Sequence, residues 1–204
     1  MYFPFRPYDS QSAYMTKVLD AVMRGENALL ESPTGTGKTL SLLCSSLAWL
    51  AAERSKFAQG PSDSGPKAGV PKIIYCSRTH SQLAQVQKEA KNTVFKPRTV
   101  LIASRDHLCV NPNINVNKGF ALNAACSAAQ KGVNPCMYFT NRERGTTDMS
   151  WDPMDIEEIH REAIRHAYCP YYATKDRVAG ADLVFMPYNY LIDEKIRENY
   201  GIDY

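Results

Sequence analysis

Apolar residues recur at helical spacing near the start of the chain, where Met15, Val18, Leu19, Val22 and Met23 share one face. The spacing predicts a helix capped by Ser10, running to Arg24 and closed by Gly25. Ala28–Glu31 reads as a short buried strand and Ser32–Gly37 as a turn. Lys38 then opens a long helix whose Leu40, Leu43, Leu47 and Leu50 form one apolar stripe. Ile73–Cys76, Val100–Ala103 and Leu183–Met186 are further apolar runs of strand length. A helix with Leu83, Val86 and Ala90 on one side follows the first of them. Apolar strands alternating with amphipathic helices predict an α/β fold with a parallel sheet covered on both faces.

The rhythm stops at residues 109–169, which hold no obvious buried strand and include the run NPNINVNKG. One helix, Asp155–His166, stands out, with Ile156, Ile159 and Ala163 facing inward. The segment reads as an insertion that leaves 1–108 and 170–204 as two parts of one α/β domain. Asn189–Asn199 reads as a helix. Gln59–Pro71, rich in Gly, Ser and Pro, reads as a flexible loop.

Composition narrows the class. A chain of 204 residues with 44% hydrophobic content can bury a real core. Its longest largely apolar stretch, Leu40–Ala52, is broken by serines and too short to span a bilayer. The first 25 residues lack a secretory pattern, so the six cysteines are expected to be free thiols or metal ligands in a reducing compartment. The net charge of +3 conceals a bias: residues 72–108 carry +5 and residues 170–204 carry −2. A basic stretch of this kind is either a solvated face or a nucleic-acid track.

The most specific chemistry lies at Ser32-Pro33-Thr34-Gly35-Thr36-Gly37-Lys38-Thr39, between a predicted strand and a helix. It matches the phosphate-binding loop pattern except that Ser32 replaces the first glycine. Gly35 and Gly37 let the backbone fold around a phosphate with its N–H groups inward, and the helix start adds positive potential. Lys38 can reach the β- and γ-phosphates, and the Thr39 hydroxyl can ligate Mg²⁺. The loop does not read the base.

Cys109, Cys126, Cys136 and Cys169 fall where the strand pattern fails, spaced C-x16-C-x9-C-x32-C. Four thiolates can hold a [4Fe–4S] cluster or a tetrahedral Zn²⁺, and free cysteines also serve as small buried apolar residues. Cys44 and Cys76 lie on a predicted core helix and strand and are assigned to packing. A phosphate-loop ATPase or kinase with a structural zinc module is therefore the alternative to a nucleic-acid motor.

LLESPTGTGKTLSLLCSSLAW resembles the first motor domain of the iron–sulphur superfamily 2 DNA helicases, the relatives of the xeroderma pigmentosum group D helicase. The segments SRTHSQ (77–82), MPYNYL (186–191) and FPFRPYDSQ (3–11) resemble further motifs of that family, so the likeness covers nearly the whole chain. It implies a RecA-like motor domain, ATP with Mg²⁺, and nuclear work in repair, recombination and telomere maintenance with 5′ to 3′ movement. Gln11 would bond the adenine edge, with Tyr8 as a stacking platform. The four cysteines would hold a [4Fe–4S] cluster, with Cys169-Pro-Tyr-Tyr resembling the last ligand. Arg78, Thr79 and His80 would grip a DNA backbone at single strands and duplex junctions, without reading sequence. Tyr138, Phe139 and Arg142 would pack around the metal site. The family's Asp-Glu-Ala-His motif is expected after residue 204. The chain thus reads as the N-terminal part of a helicase that does not turn over ATP by itself.

Overall fold

The computed structural model describes residues 3–59 and 71–202. Residues 60–70 of the loop read at Gln59–Pro71 lie outside them. The chain divides into two compact units, residues 1–73 with 85–97, and residues 74–84 with 98–204.

In the first unit, α1 (Asp9–Arg24) starts earlier than the Ser10 cap predicts. The Tyr8 N–H donates to Gln11 Oε1 at 3.0 Å, so the third helical residue takes over the capping and Ser10 falls inside the first turn. Gly25 closes the helix at φ 66°. The long second helix, α2 (Lys38–Gln59), begins at the expected residue. Its Leu40, Leu43, Leu47 and Leu50 are all buried, and Met15, Leu40 and Cys44 form a small core against Phe3. Burial pushes the Cys44 thiol up to about 11, in keeping with its packing role.

Ala28–Glu31 is not a strand. It has no ladder partner among the described residues, and Leu29 is fully exposed. A short apolar run becomes a strand only when neighbouring backbone takes up its N–H and C=O groups.

The sheet comprises β1 (Ile73–Ser77), β2 (Thr99–Leu101) and β3 (Leu183–Pro187), ordered β1-β3-β2. β2 and β3 are parallel, with Thr99 opposite Leu183 and Leu101 opposite Phe185. All five residues of β3 are buried, as the central position demands. Between β1 and β2 runs α3 (His80–Lys91), with Leu83, Val86 and Ala90 buried.

The rest is helical: α4 (Arg105–Leu108), α5 (Pro112–Asn115), α6 (Gly119–Lys131), α7 (Met137–Thr140), α8 (Arg142–Asp148), α9 (Ile156–His166) and α10 (Pro170–Arg177). Asp155 and Glu158 form a reciprocal capping box at the start of α9, whose Ile159 and Ala163 are fully buried while Ile156 is half-buried. The expected helix at Asn189–Asn199 is two, α11 (Tyr188–Ile192) and α12 (Glu194–Asn199). Asp193 breaks the run because its carboxylate accepts the Ile196 N–H at 3.1 Å and caps α12 instead.

The compact units do not follow the 109–169 boundaries: that segment shares its unit with β2 and β3. Thr99 donates its N–H and its hydroxyl to the Trp151 carbonyl, at 2.9 and 3.0 Å. Arg98 holds Asp182 through its backbone N–H and Nε, tying the start of β2 to the start of β3. A core of Val100, Ile102, Val178, Ala181, Val184, Met186 and Ile202 lies beneath, with Cys76 and Trp151 packed against it.

Candidate nucleotide, metal and nucleic-acid sites

The turn from Ser32 to Gly37 takes its shape from two left-handed glycines, Gly35 at φ 81° and Gly37 at φ 73°. Hydroxyls brace it: Ser32 Oγ and Thr36 Oγ1 are 2.5 Å apart, and Thr36 Oγ1 donates to the Pro33 carbonyl at 2.8 Å. The Lys38 ammonium folds back over the turn and donates to the Ser32 and Pro33 carbonyls at 2.7 and 2.6 Å. Its charge is therefore held over the concave side of the loop. Pro33, Thr34 and Gly35 are exposed, while Thr39 is half-buried in the first turn of α2.

Gln11 reaches this loop. Its Nε2 donates to the Thr36 carbonyl at 3.0 Å, and a Cβ on Gly37 would sit 2.5 Å from that nitrogen. Glycine at 37 is thus favoured by its left-handed backbone, and a side chain there would also push the Gln11 amide aside. Tyr8 stands at the helix start with its ring 74% exposed.

The four cysteines of the helical segment are free, half-buried thiols. Cys109 follows α4, Cys126 lies within α6, Cys136 precedes α7 and Cys169 precedes α10. Cys109 feels the charges of Cys126 and Cys136, and Cys169 those of Cys126 and Cys109. Burial pushes the Cys109 thiol up, and Cys126 and Cys136 push it further. Burial pushes the Cys169 thiol up to about 12, with Cys126 and Cys109 acting in the same direction. Single-ion zinc would need its ligands about 2.3 Å from one point. Among the described residues no three His, Cys, Asp or Glu side chains form a group that could hold a metal ion.

Around the thiols, the Cys169 N–H donates to the Tyr138 carbonyl at 2.8 Å. Phe139 packs edge-on against Tyr172, with the Arg142 guanidinium over the Phe139 ring. Asn111, Gln130, Arg105 and Tyr172 also belong to this surround; Tyr172 lies in the Cys169-Pro-Tyr-Tyr run, and the other three were not singled out from sequence.

At the turn before α3, Arg78 and Thr79 are exposed. The Thr79 hydroxyl accepts the Gln82 N–H at 3.3 Å, and Ser77 Oγ donates to Gln82 Oε1 at 2.8 Å, so the helix start is held open and capped. His80 differs from its neighbours. Its ring lies 4.4 Å from that of His107, and its Nδ1 is buried without a partner. Burial, reinforced by His107, lowers its pKa to about 4. Arg78 is the cation of this turn, and His80 is a neutral packing group.

The class follows from these elements together with a match of the DEAD_2 family model to residues 75–204: the chain belongs to the DEAD_2 family. Among its relatives, the regulator of telomere elongation helicase 1 of Bos taurus is 38% identical over 228 residues, and that of Homo sapiens 37% over 229; each alignment covers 98% of this chain and 19% of the relative. The Drosophila mojavensis homologue is 40% identical over 229 residues, covering 97% of this chain and 23% of its own. The chain thus spans about a fifth of the length of the curated relatives it matches. A solved XPD helicase superposes with a TM-score of 0.60 at 19% identity, covering 98% of this chain and 30% of that one. The likeness establishes the α/β, RecA-like helicase fold. No helix among the described residues is long and apolar enough to cross a membrane.

Proposed function

We propose that the chain is the nucleotide-binding first motor segment of an ATP-dependent 5′ to 3′ DNA helicase, with a [4Fe–4S] cluster on Cys109, Cys126, Cys136 and Cys169. The phosphate loop carries this reading. Loop N–H groups would hold the phosphates of ATP, and Lys38 would exchange its two carbonyl partners for β- and γ-phosphate oxygens. Thr39 would ligate Mg²⁺. Gln11, already bonded to the loop at Thr36, would read the adenine edge, so base recognition and phosphate grip would move as one body. Tyr8 would stack on the base.

When bound, the cluster supplies a rigid cross-link among four helical segments and a positive core for four thiolates. Arg78, the Thr79 hydroxyl and the first turn of α3 would hold a DNA backbone without reading bases, which suits a motor moving along any sequence. His80 would act by fixing that turn. The names of relatives 37–40% identical support a part in telomere maintenance, and the family resemblance of the sequence motifs is the support for repair, recombination and a place in the nucleus.

The test uses the full-length protein, with Lys38→Ala as the variant. The expected result is DNA-stimulated ATP hydrolysis and unwinding of a duplex with a 5′ single-stranded tail, both lost in the variant while DNA binding is kept. Unwinding that survives Lys38→Ala overturns the reading.

A further inference from the structure

Two cysteines of the helical segment receive a side-chain N–H donor at their sulphur. Asn111 Nδ2 lies 3.1 Å from Cys136 Sγ, and Gln130 Nε2 lies 3.4 Å from Cys126 Sγ. Backbone N–H groups of Asn111 and of Tyr171 and Tyr172 also lower the pKa of the Cys109 and Cys169 thiols against burial. The two side-chain donors are each fixed by a second contact. Asn111 Oδ1 accepts the Asn113 N–H at 3.0 Å as the cap of α5, which leaves its amide nitrogen facing the sulphur. Gln130 Nε2 also reaches Tyr172 Oη at 2.9 Å, and that oxygen accepts from Arg105 Nη2 at 2.9 Å. Arg105 in turn lies 4.1 Å over the Tyr171 ring. A guanidinium just after β2 is thus linked through one phenol and one amide to a ligand sulphur in α6.

We propose that Asn111 and Gln130, the latter oriented by Arg105 through Tyr172, are positioning residues that set the reduction potential of the cluster on these four cysteines. The inference rests on the cluster reading above. Reduction adds one electron to the iron–thiolate unit and breaks no bond, so it adds one negative charge spread over the sulphurs. N–H donors and a nearby guanidinium stabilise that added charge and raise the potential. No step in the helicase reaction needs this electron; the claim concerns the potential alone.

The experiment takes the holoprotein purified without oxygen and follows its reduction by dithionite and reoxidation by ferricyanide with electron paramagnetic resonance. Gln130→Leu removes one donor at a half-buried site. Asn111→Asp keeps the α5 cap but replaces the donor with an anionic oxygen. Both variants are expected to keep the wild-type iron and sulphide content while their midpoints fall, with the larger fall in Asn111→Asp. Arg105→Lys, which keeps the charge, is expected to shift less than Arg105→Leu. Unchanged midpoints in loaded Gln130→Leu and Asn111→Asp overturn the proposal while leaving the cluster in place. Wild-type protein without iron overturns the cluster reading itself, and this inference with it.

Discussion

The guanidinium carbon of Arg177 lies 3.6 Å from the centre of the Trp151 ring, on a side chain whose residue is 2% exposed. The same guanidinium donates to the Met149 carbonyl at 2.5 Å and the Ser150 carbonyl at 3.1 Å. It therefore binds the chain just past α8, where helix carbonyls lack partners and a cation is favoured. Replacing Arg177 with Leu strands these carbonyls and removes the charge from the indole face. The expected loss is roughly 3 kcal/mol, or about 10 °C in Tm. Arg177→Lys should recover only part of it, since an ammonium cannot serve both carbonyls and stack. Thermal unfolding of the two variants checks this.

Gly145, in α8, permits the close approach of α8 to Tyr168 and α10. A Cβ there would overlap the Tyr168 ring and come within 2.5 Å of the Ala173 Cβ. Neither obstacle is a flexible tip. Gly145→Ala, helpful to an isolated helix, should here destabilise by about 1–3 kcal/mol. Calorimetry would detect the sign.

Gly37→Ala should abolish nucleotide binding and lower stability by roughly 1–2 kcal/mol, because alanine is strained at this φ. The new methyl must enter the space of Gln11 Nε2 at a φ of 73°. Titration with a fluorescent ATP analogue is the measurement. Gln11→Ala should relieve the steric conflict without restoring full affinity, because the left-handed strain stays.

The two halves of the turn before α3 separate by salt and by pH. Arg78 is exposed, so Arg78→Ala should weaken single-stranded DNA binding evenly across sequences. It should also lower the slope of log K against log salt by roughly 0.7. His80 is neutral at pH 7, and its substitution should leave that slope unchanged. Its effect is on stability. Its folded pKa, about 4, lies below the ordinary histidine value, so the unfolded chain takes up the proton first. Stability from this site is present above about pH 6.5 and is lost as pH falls towards 4, at up to about 1.4 kcal/mol per pH unit. His80→Phe should flatten that part of the stability–pH curve.

The helices and strands with long apolar signatures were legible in the sequence. The Leu40–Leu50 stripe, Leu183–Met186 and the helix ending at His166 all lie where periodicity puts them. The failures share a cause. Ala28–Glu31 has strand composition, but a strand is decided by its partners, which are distant in sequence. Ser10 and Asp193 turned on which side chain wins a backbone donor, a competition among near-equal local contacts. The phosphate loop was legible because consecutive residues build it. The surround of the cysteines was not, because Arg105, Asn111, Gln130 and Tyr172 meet only after four helices have packed.

The proposal that Cys109, Cys126, Cys136 and Cys169 hold a [4Fe–4S] cluster is the point on which the functional account turns, and metal analysis of oxygen-protected protein tests it most directly. The account predicts about four iron and four acid-labile sulphide per chain, with any one Cys→Ser substitution lowering both. One zinc per chain and no iron, or full iron after Cys126→Ser, would contradict it.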